Sequence, residues 1–161
     1  MITQKYNYLF YLTVVIHNWC SNNLIITPLI SLFELFPISK ERILKVKKLH
    51  IVPIDSYENG YNINFAFKLM MWTLTCFILA IELLIFKTYN YIELEYNVIV
   101  FFVSAVFLSI VINYLILWKS DKYKTYFRKF KKEQSPNRDY IAALIYHLTI
   151  TIICFSIAIN I

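Results

Sequence analysis

The sequence predicts an all-α, polytopic integral membrane protein, and three observations support this prediction. First, 59% of the 161 residues are hydrophobic, above the share of about 45–50% found in soluble domains. Second, two runs without a charged residue, 96–118 and 140–161, are each longer than the ~18 residues that mark a candidate span. Third, most of the positive charge lies beside apolar runs, which is typical of segments anchored at a membrane surface.

Three transmembrane helices are expected, at about residues 65–86, 96–118 and 140–161. The first covers roughly 22 residues, and at about 1.5 Å per residue it reaches across a hydrocarbon core of about 30 Å. Lys68 near its start can extend toward the headgroups, and Lys87 closes its far end. Together with the connections between them, these spans form the predicted membrane domain, which follows an N-terminal region of 64 residues.

The charges on the connecting segments predict the orientation. Residues 119–138 carry eight of the 16 Lys and Arg residues and residues 40–48 carry five, whereas residues 88–95 carry none and contain Glu93 and Glu95. Short cytoplasmic loops are enriched in Lys and Arg. We therefore expect a multi-pass protein of a bacterial inner membrane, with the basic segments in the cytoplasm and the C-terminus in the periplasm.

The N-terminal region, residues 1–64, leaves one question of topology open. Two apolar pieces, 8–16 and 24–36, are separated by the polar run 17–23, and each is shorter than the ~17 residues needed to span. Interfacial or re-entrant helices explain this pattern. A single helix over about 8–33 is the alternative, and it would add a fourth span that places the Asn cluster within the membrane.

Two basic segments flank the predicted spans. A short helix at 39–50 is expected before the first span, followed by an exposed connector with a turn at Asn59-Gly60. After the second span, residues 119–135 are expected to continue as a helix into the cytoplasm, because their aromatic residues recur at i, i+3, i+4 and i+7. The candidate face for a protein partner or for lipid comprises Tyr123, Tyr126, Phe127 and Phe130, with Arg128 and Lys129 beside them.

The sequence offers no recognisable catalytic site. It contains one glycine, whereas phosphate-binding loops, dinucleotide fingerprints and nucleophile elbows need several. We therefore predict no enzyme, no catalytic residue, no cofactor and no metal. His17 and Cys20 share a helical face as a reactive or metal-binding pair would, but an amphipathic helix end explains them as well. Cys76 and Cys154 are expected to be plain apolar side chains.

Glu82, His147 and Asn113 are the candidate functional residues within the spans. An ionisable residue near the centre of a span costs about 2.5–3.5 kcal/mol, so its presence suggests a role. Glu82 and His147 could belong to one ion path, but they lie toward opposite ends of their helices and are not expected to touch. A Glu82 carboxylate that reaches outward or bonds to a neighbouring helix is the alternative, and Asn113 is expected to bond across a helix interface.

The run KSDKYKTYFRKFKKE at 119–133 resembles the KYxxYFxxFxK loop of small, uncharacterised polytopic membrane proteins of Bacteroidota. The resemblance extends over roughly residues 65–161. It implies that this loop separates the penultimate and the last span, and it implies no activity.

These observations favour a non-enzymatic inner-membrane interaction protein whose spans anchor a basic, aromatic cytoplasmic face for a protein partner. A toxin-immunity protein or an accessory subunit fits this description. The alternatives are a self-assembling, holin-like pore and a small ion-coupled transporter subunit that depends on Glu82. The expected partners are the lipid bilayer and either another protein or a second copy. Nucleic acid is not expected, because the aromatic residues of 119–132 share one helical face.

Overall fold

The computed structural model describes residues 1–28, 31, 61–88, 94–133 and 136–160, and this part of the chain is helical, with no strand. The all-α fold class is therefore confirmed. The helices are α1, Ile2–Cys20; α2, Tyr61–Thr88; α3, Leu94–Asn113; α4, Lys122–Glu133; and α5, Asn137–Ile159.

Three stretches of helix are long and apolar enough to cross a membrane: Ile63–Thr88, a stretch that begins at Ile99 in α3, and Asn137–Ile159. They coincide with the three predicted spans, so the multi-pass arrangement is confirmed. Both α2 and α5 begin a few residues before their apolar runs, because polar residues at the membrane surface can form the first helical turn.

The helices α2 and α3 are antiparallel neighbours. Phe86 near the end of α2 packs edge-on against Phe101 near the start of α3, with ring centroids 5.4 Å apart. Further along both helices, the Ser109 hydroxyl donates a hydrogen bond of 2.9 Å to the carbonyl oxygen of Met71. The start of α2 and the end of α3 therefore lie at the same end of the bundle.

The helix α5 runs parallel to α2. Thr73 in the first half of α2 meets His147 in the first half of α5, and Lys87 near the end of α2 donates a hydrogen bond of 3.0 Å to the carbonyl oxygen of Asn160. The starts of α2 and α5 and the end of α3 therefore lie together. We call this the basic end, because the Lys- and Arg-rich α4 connects α3 to α5 there.

The helix α1 lies across the basic end. The Tyr8 hydroxyl donates a hydrogen bond of 2.6 Å to Asp139 at the start of α5, and the His17 ring stacks at 3.9 Å on Phe65 near the start of α2. Tyr8 and His17 are nine residues, or about 14 Å, apart along α1, yet both contact the first turns of their neighbours. A helix parallel to the spans could not do this, so α1 crosses the bundle. Thr13, which lies between them, reaches His147, ten residues into α5, and the interfacial interpretation stays a prediction.

The polar run 17–23 does not divide the N-terminal region as expected. Instead α1 continues directly into a π-helical segment, Ser21–Ile26. Asn18 is buried against the rest of the protein, and Asn23 Nδ2 donates a hydrogen bond of 2.9 Å to the carbonyl oxygen of Trp19. Three predictions lie wholly or largely outside the described residues, namely those for the apolar piece 24–36, the basic helix 39–50 and the Asn59-Gly60 turn.

The helix predicted at 119–135 is present as α4, Lys122–Glu133, but a kink separates it from α3, so it does not run on from the second span without a break. The end of α3 is a π-helical turn, Tyr114–Trp118, and Ser120 and Asp121 then adopt φ angles of 63° and 52°. This left-handed conformation is unfavourable for residues other than glycine, although short polar side chains tolerate it best. The turn lets α4 pack on α1, where burial of its aromatic face offsets the strain.

Candidate functional site

Polar side chains from four helices meet between α1 and the spans, where they are hidden from solvent. We call this group the polar layer. Apart from Tyr6, which is half-buried, none of its side chains is more than 5% exposed, so each polar atom needs a partner within the protein. Its members are Tyr6 and Thr13 of α1, Thr73 of α2, Ser109 and Asn113 of α3, and His147 of α5.

His147 joins three helices. Its Nε2 lies 2.9 Å from the Thr13 hydroxyl oxygen, and its Nδ1 lies 2.7 Å from that of Thr73. Each hydroxyl also lies within 2.9 Å of a carbonyl oxygen of its own helix, at Leu9 or Leu69. A neutral imidazole has one N–H and one acceptor nitrogen, so one threonine donates to the ring while the other accepts from it and donates to its own carbonyl. This arrangement satisfies the neutral ring.

Asn113 links α1 to α3 in a second branch of the polar layer. The Tyr6 hydroxyl donates a hydrogen bond of 2.9 Å to Asn113 Oδ1, and Asn113 Nδ2 donates one of 2.9 Å to the carbonyl oxygen of Ser109. Because the Ser109 hydroxyl in turn reaches Met71, the branch extends into α2. The prediction that Asn113 bonds across a helix interface is confirmed.

The π-helical turn at the end of α3 exposes carbonyl groups that other segments bind. Asn7 is fully buried, and its Nδ2 donates hydrogen bonds of 3.3 Å to the carbonyl oxygen of Ile116 and 2.8 Å to that of Thr3. Lys122 Nζ reaches the carbonyl oxygen of Leu115 at 3.4 Å. A π turn interrupts the regular backbone hydrogen bonds of a helix, so these side-chain donors replace the missing backbone donors. The bond from Asn7 also fixes α1 against the end of α3.

The aromatic face of α4 packs against α1 and not against a partner or lipid. Tyr123, Phe127 and Phe130 are only 2–3% exposed. Phe127 packs edge-on against Tyr11, with ring centroids 5.3 Å apart, and Phe130 against Tyr8 at 4.9 Å. The hypothesis that these three residues form an external face is therefore wrong, because α1 of the same chain already covers them.

Of the remaining residues of that hypothesis, Tyr126 lies at the edge of the aromatic side, and the two cations lie on the opposite side of α4. Tyr126 is half-buried and stacks on Phe130. Arg128 and Lys129 are exposed, and Lys129 pairs with Glu133 at 3.9 Å. We call the exposed cations of α4 the basic face: Arg128, Lys129, Lys131 and Lys132.

The Glu82 side chain lies between α2 and α3, and it shares no hydrogen bond with the members of the polar layer. Its Oε1 is 2.7 Å from the Ser104 hydroxyl oxygen, whereas its buried Oε2 has no hydrogen-bond partner among the described residues. Its hydrogen bond goes to α3 and those of His147 go to α1 and α2, so the two residues do not form a pair. Of the interpretations for Glu82, the bond to a neighbouring helix is the one observed.

The positions of Cys76 and Cys154 agree with the prediction that they are plain apolar side chains. Cys76 of α2 and Cys154 of α5 are both buried and belong to one apolar cluster with Ala80, because the two helices are parallel. Within the described residues, no group of three or more His, Cys, Asp or Glu side chains could hold a metal ion. His17 lies against Phe65, which agrees with an ordinary packing role.

Sequence reasoning missed Tyr6, Thr13 and Thr73 as members of the polar layer. Tyr6 and Thr13 are seven residues apart, so they share a face of a helix, and this spacing could have marked them. Thr73 lies in a long apolar run like any packing residue, and nothing in the pattern distinguishes it.

The chain matches no family model, no curated protein and no solved structure. The resemblance to membrane proteins of Bacteroidota therefore stays a prediction, and function has to be argued from the geometry of the described residues.

Proposed function

We propose that this chain is a non-enzymatic interaction protein of a bacterial inner membrane, and that its basic face binds an acidic protein partner in the cytoplasm. The observation that carries the proposal is the orientation of α4. The aromatic side of α4 is buried against α1, and this packing holds the basic face in a fixed orientation on the outside of the protein.

The charge distribution supports the cytoplasmic assignment. The basic end holds α4 and the eight Lys and Arg residues of 119–138, whereas the sequence that connects α2 to α3, residues 88–95, has no Lys or Arg and contains Glu93 and Glu95. Positively charged connections remain in the cytoplasm during insertion. The basic end and the basic face therefore lie in the cytoplasm, and residues 88–95 lie in the periplasm.

A fixed basic face suits recognition of an acidic surface. Charged side chains that are held in position before binding speed up the encounter of two proteins and favour partners of opposite charge. A docked helix also loses little conformational freedom on binding, whereas a free one would have to be ordered first. A toxin-immunity protein or an accessory subunit would use the face in this way.

The exposed surfaces of the spans favour an anchor over a pore. Phe107 of α3 and Ile152 of α5 are 65% and 62% exposed, as side chains that face lipid would be. Asn113 and His147 turn inward to the polar layer and Glu82 contacts Ser104, whereas the outward side of α5 carries the small hydroxyl groups of Thr149 and Ser156. A pore built from several copies needs polar groups on outward faces to line water, so the holin-like alternative has less support.

The test is purification of the tagged protein from native membranes in mild detergent, with mass spectrometry of what accompanies it. The wild type is compared with a triple variant that reverses charge on the basic face, Arg128→Glu, Lys129→Glu and Lys132→Glu. A matched control reverses three exposed cations outside α4, at Lys5, Lys119 and Arg138.

We expect an acidic protein in stoichiometric amount with the wild type and the control, and its loss with the basic-face variant. A partner retained by the basic-face variant would contradict the role of α4. A homo-oligomer without a foreign partner would contradict the proposal as a whole and bring pore formation forward.

A further inference from the structure

A cavity at the basic end lies outside the proposed binding face. It opens between the first turns of α1, the last turn of α4 and the turn that leads into α5, and its volume is about 390 Å³. Sites for small molecules commonly have volumes of about 300–1,000 Å³, so the cavity can hold a small polar group. Its lining includes Gln4, Lys5, Tyr8, Phe130, Glu133 and Pro136.

Two aromatic rings form the inner wall of the cavity. Phe130 is only 3% exposed, and its ring packs edge-on against that of Tyr8, with the ring centroids 4.9 Å apart. The Tyr8 hydroxyl is bound to Asp139 at 2.6 Å, which keeps the tyrosine ring in place. Aromatic rings attract ammonium groups through their π electrons. The inner wall is therefore suited to a positively charged group.

The rim of the cavity carries two opposite charges. Gln4 and Lys5 extend from α1, whereas Glu133 extends from the last turn of α4, and all three side chains are exposed. Lys129 Nζ lies 3.9 Å from Glu133 Oε1, but a carboxylate accepts several hydrogen bonds, so Glu133 can bind a second cation. A ligand that matches this rim has an anionic group for Lys5 and Gln4 and an ammonium group for Glu133.

The position of the cavity indicates the source of such a ligand. Pro136 directly precedes Asn137–Ile159, one of the stretches that are long and apolar enough to cross a membrane, so the cavity lies at the level of the lipid headgroups. The first turns of this span expose Ile141 and Leu144, which can contact acyl chains. The headgroup of phosphatidylethanolamine consists of a phosphate and a primary ammonium joined by a short ethylene link, and these are the two groups that the rim matches.

Glu133 distinguishes this headgroup from those of other phospholipids. An anionic headgroup such as that of phosphatidylglycerol offers no cation to Glu133 and is repelled by it. The headgroup of phosphatidylcholine does contain a cation, but its fully methylated nitrogen cannot donate a hydrogen bond to the carboxylate.

We infer that the cavity between α1, α4 and the start of α5 binds the headgroup of phosphatidylethanolamine. Lys5 and Gln4 bind its phosphate, and Glu133 binds its ammonium group against the rings of Tyr8 and Phe130. The inference rests on the membrane-spanning helices and does not depend on the partner of the basic face.

Native mass spectrometry of the full-length protein tests this inference, because it counts the lipids that stay bound after the detergent is removed. The protein in mild detergent is titrated with phosphatidylethanolamine, phosphatidylglycerol or phosphatidylcholine that have identical acyl chains. We expect phosphatidylethanolamine to bind with a Kd about tenfold or more below the Kd values of the other two, since a hydrogen bond between charged groups distinguishes them. Equal binding of the three lipids would overturn the inference. Free phosphoethanolamine that binds as tightly as the lipid would overturn it as well, because the occupant would then be a soluble molecule.

Variants of the rim locate the bound lipid. Glu133→Gln should abolish the preference for phosphatidylethanolamine over phosphatidylcholine, and Lys5→Gln should weaken the binding of phosphatidylethanolamine by about tenfold. The matched controls are Asp121→Asn and Lys119→Gln, which neutralise an exposed acid and an exposed cation of the same end outside the cavity, and both should bind lipid like the wild type. All these positions are exposed, so the variants should fold. If the rim variants behave like the controls, the lipid binds elsewhere and the inference is overturned.

Discussion

At the scale of single residues, the hydrogen bonds of the polar layer allow few alternative partners for its buried polar atoms. His147 has two ring nitrogens, each within 2.9 Å of a threonine hydroxyl, and the threonines belong to α1 and α2. A buried donor or acceptor without a partner costs about 1–3 kcal/mol, so loss of either hydroxyl leaves a ring nitrogen at that disadvantage. The layer therefore stabilises one particular arrangement of three helices.

Thr13→Val and Thr73→Val should each lower the free energy of unfolding by about 1 kcal/mol, since cross-helix hydrogen bonds in membranes have that size or slightly less. The measurement is reversible unfolding in mixed micelles of a mild detergent and dodecyl sulfate. Thr149→Val is the control, because Thr149 is exposed on α5 and its change should stay within about 0.5 kcal/mol. If the two buried variants behave like Thr149→Val, the hydrogen bonds to His147 contribute nothing to stability.

Sequence reasoning located only part of this layer. Asn113 and His147 stand out because polar side chains are rare in apolar runs, and a cross-helix bond was predicted for Asn113. Thr13 was missed because its partner His147 is 134 residues away and this contact depends on how α1 crosses the bundle, so the spacing between Tyr6 and Thr13 was the sole sign of it. The hydrogen bond at Glu82 likewise depends on which face of α3 meets α2, and no periodicity reveals that register.

At the scale of helices, α1 and α4 form a unit at the basic end. The pattern in 119–135 predicted an amphipathic helix correctly but assigned its aromatic side to a partner. The reason is that α1 was expected as short interfacial pieces, so no internal surface was available to cover that side. Once α1 is continuous, Phe10, Tyr11 and Tyr8 supply the missing apolar surface.

Phe127→Ala should release α4 from α1. Truncation of a buried phenylalanine costs about 3–5 kcal/mol, which is enough to raise the population of the detached helix by on the order of a hundredfold or more. Trypsin should then cut after Arg128 and Lys129 correspondingly faster in detergent-solubilised protein. Phe107→Ala, at an outward-facing position of α3, should leave the cleavage rate unchanged. Equal rates in both variants would show that α4 is not held by this contact.

At the scale of the whole molecule, the spans were the most predictable feature. Predominantly apolar runs of more than 20 residues can be accommodated in few ways, so the positions of α2, α3 and α5 follow from hydropathy alone. The short connections leave successive spans on alternate sides of the membrane. This explains why α3 is antiparallel to α2 and α5 is parallel to it. What hydropathy does not specify is that α1 lies across one end, because its contacts with α2, α3 and α5 are all long-range.

The proposed orientation gives a labelling prediction. In a background with Cys20, Cys76 and Cys154 replaced by serine, a cysteine at Lys87 should react with a membrane-impermeant maleimide in intact cells. A cysteine at Lys132 should react only after the membrane is opened, since the basic end is placed in the cytoplasm. The reverse pattern would place the basic face outside the cell and exclude a cytoplasmic partner.

The central claim of the account is that α1 holds α4 against the bundle and so fixes the basic face. A double-mutant cycle on Tyr11→Ala and Phe127→Ala in mixed micelles tests it most directly, because their rings touch across the contact at 5.3 Å. The account predicts a coupling free energy of about 0.5–1.5 kcal/mol for this pair, and additivity within about 0.5 kcal/mol for the distant pair Tyr11 and Phe107. Additive effects for Tyr11 and Phe127 would contradict the packing of α4 on α1.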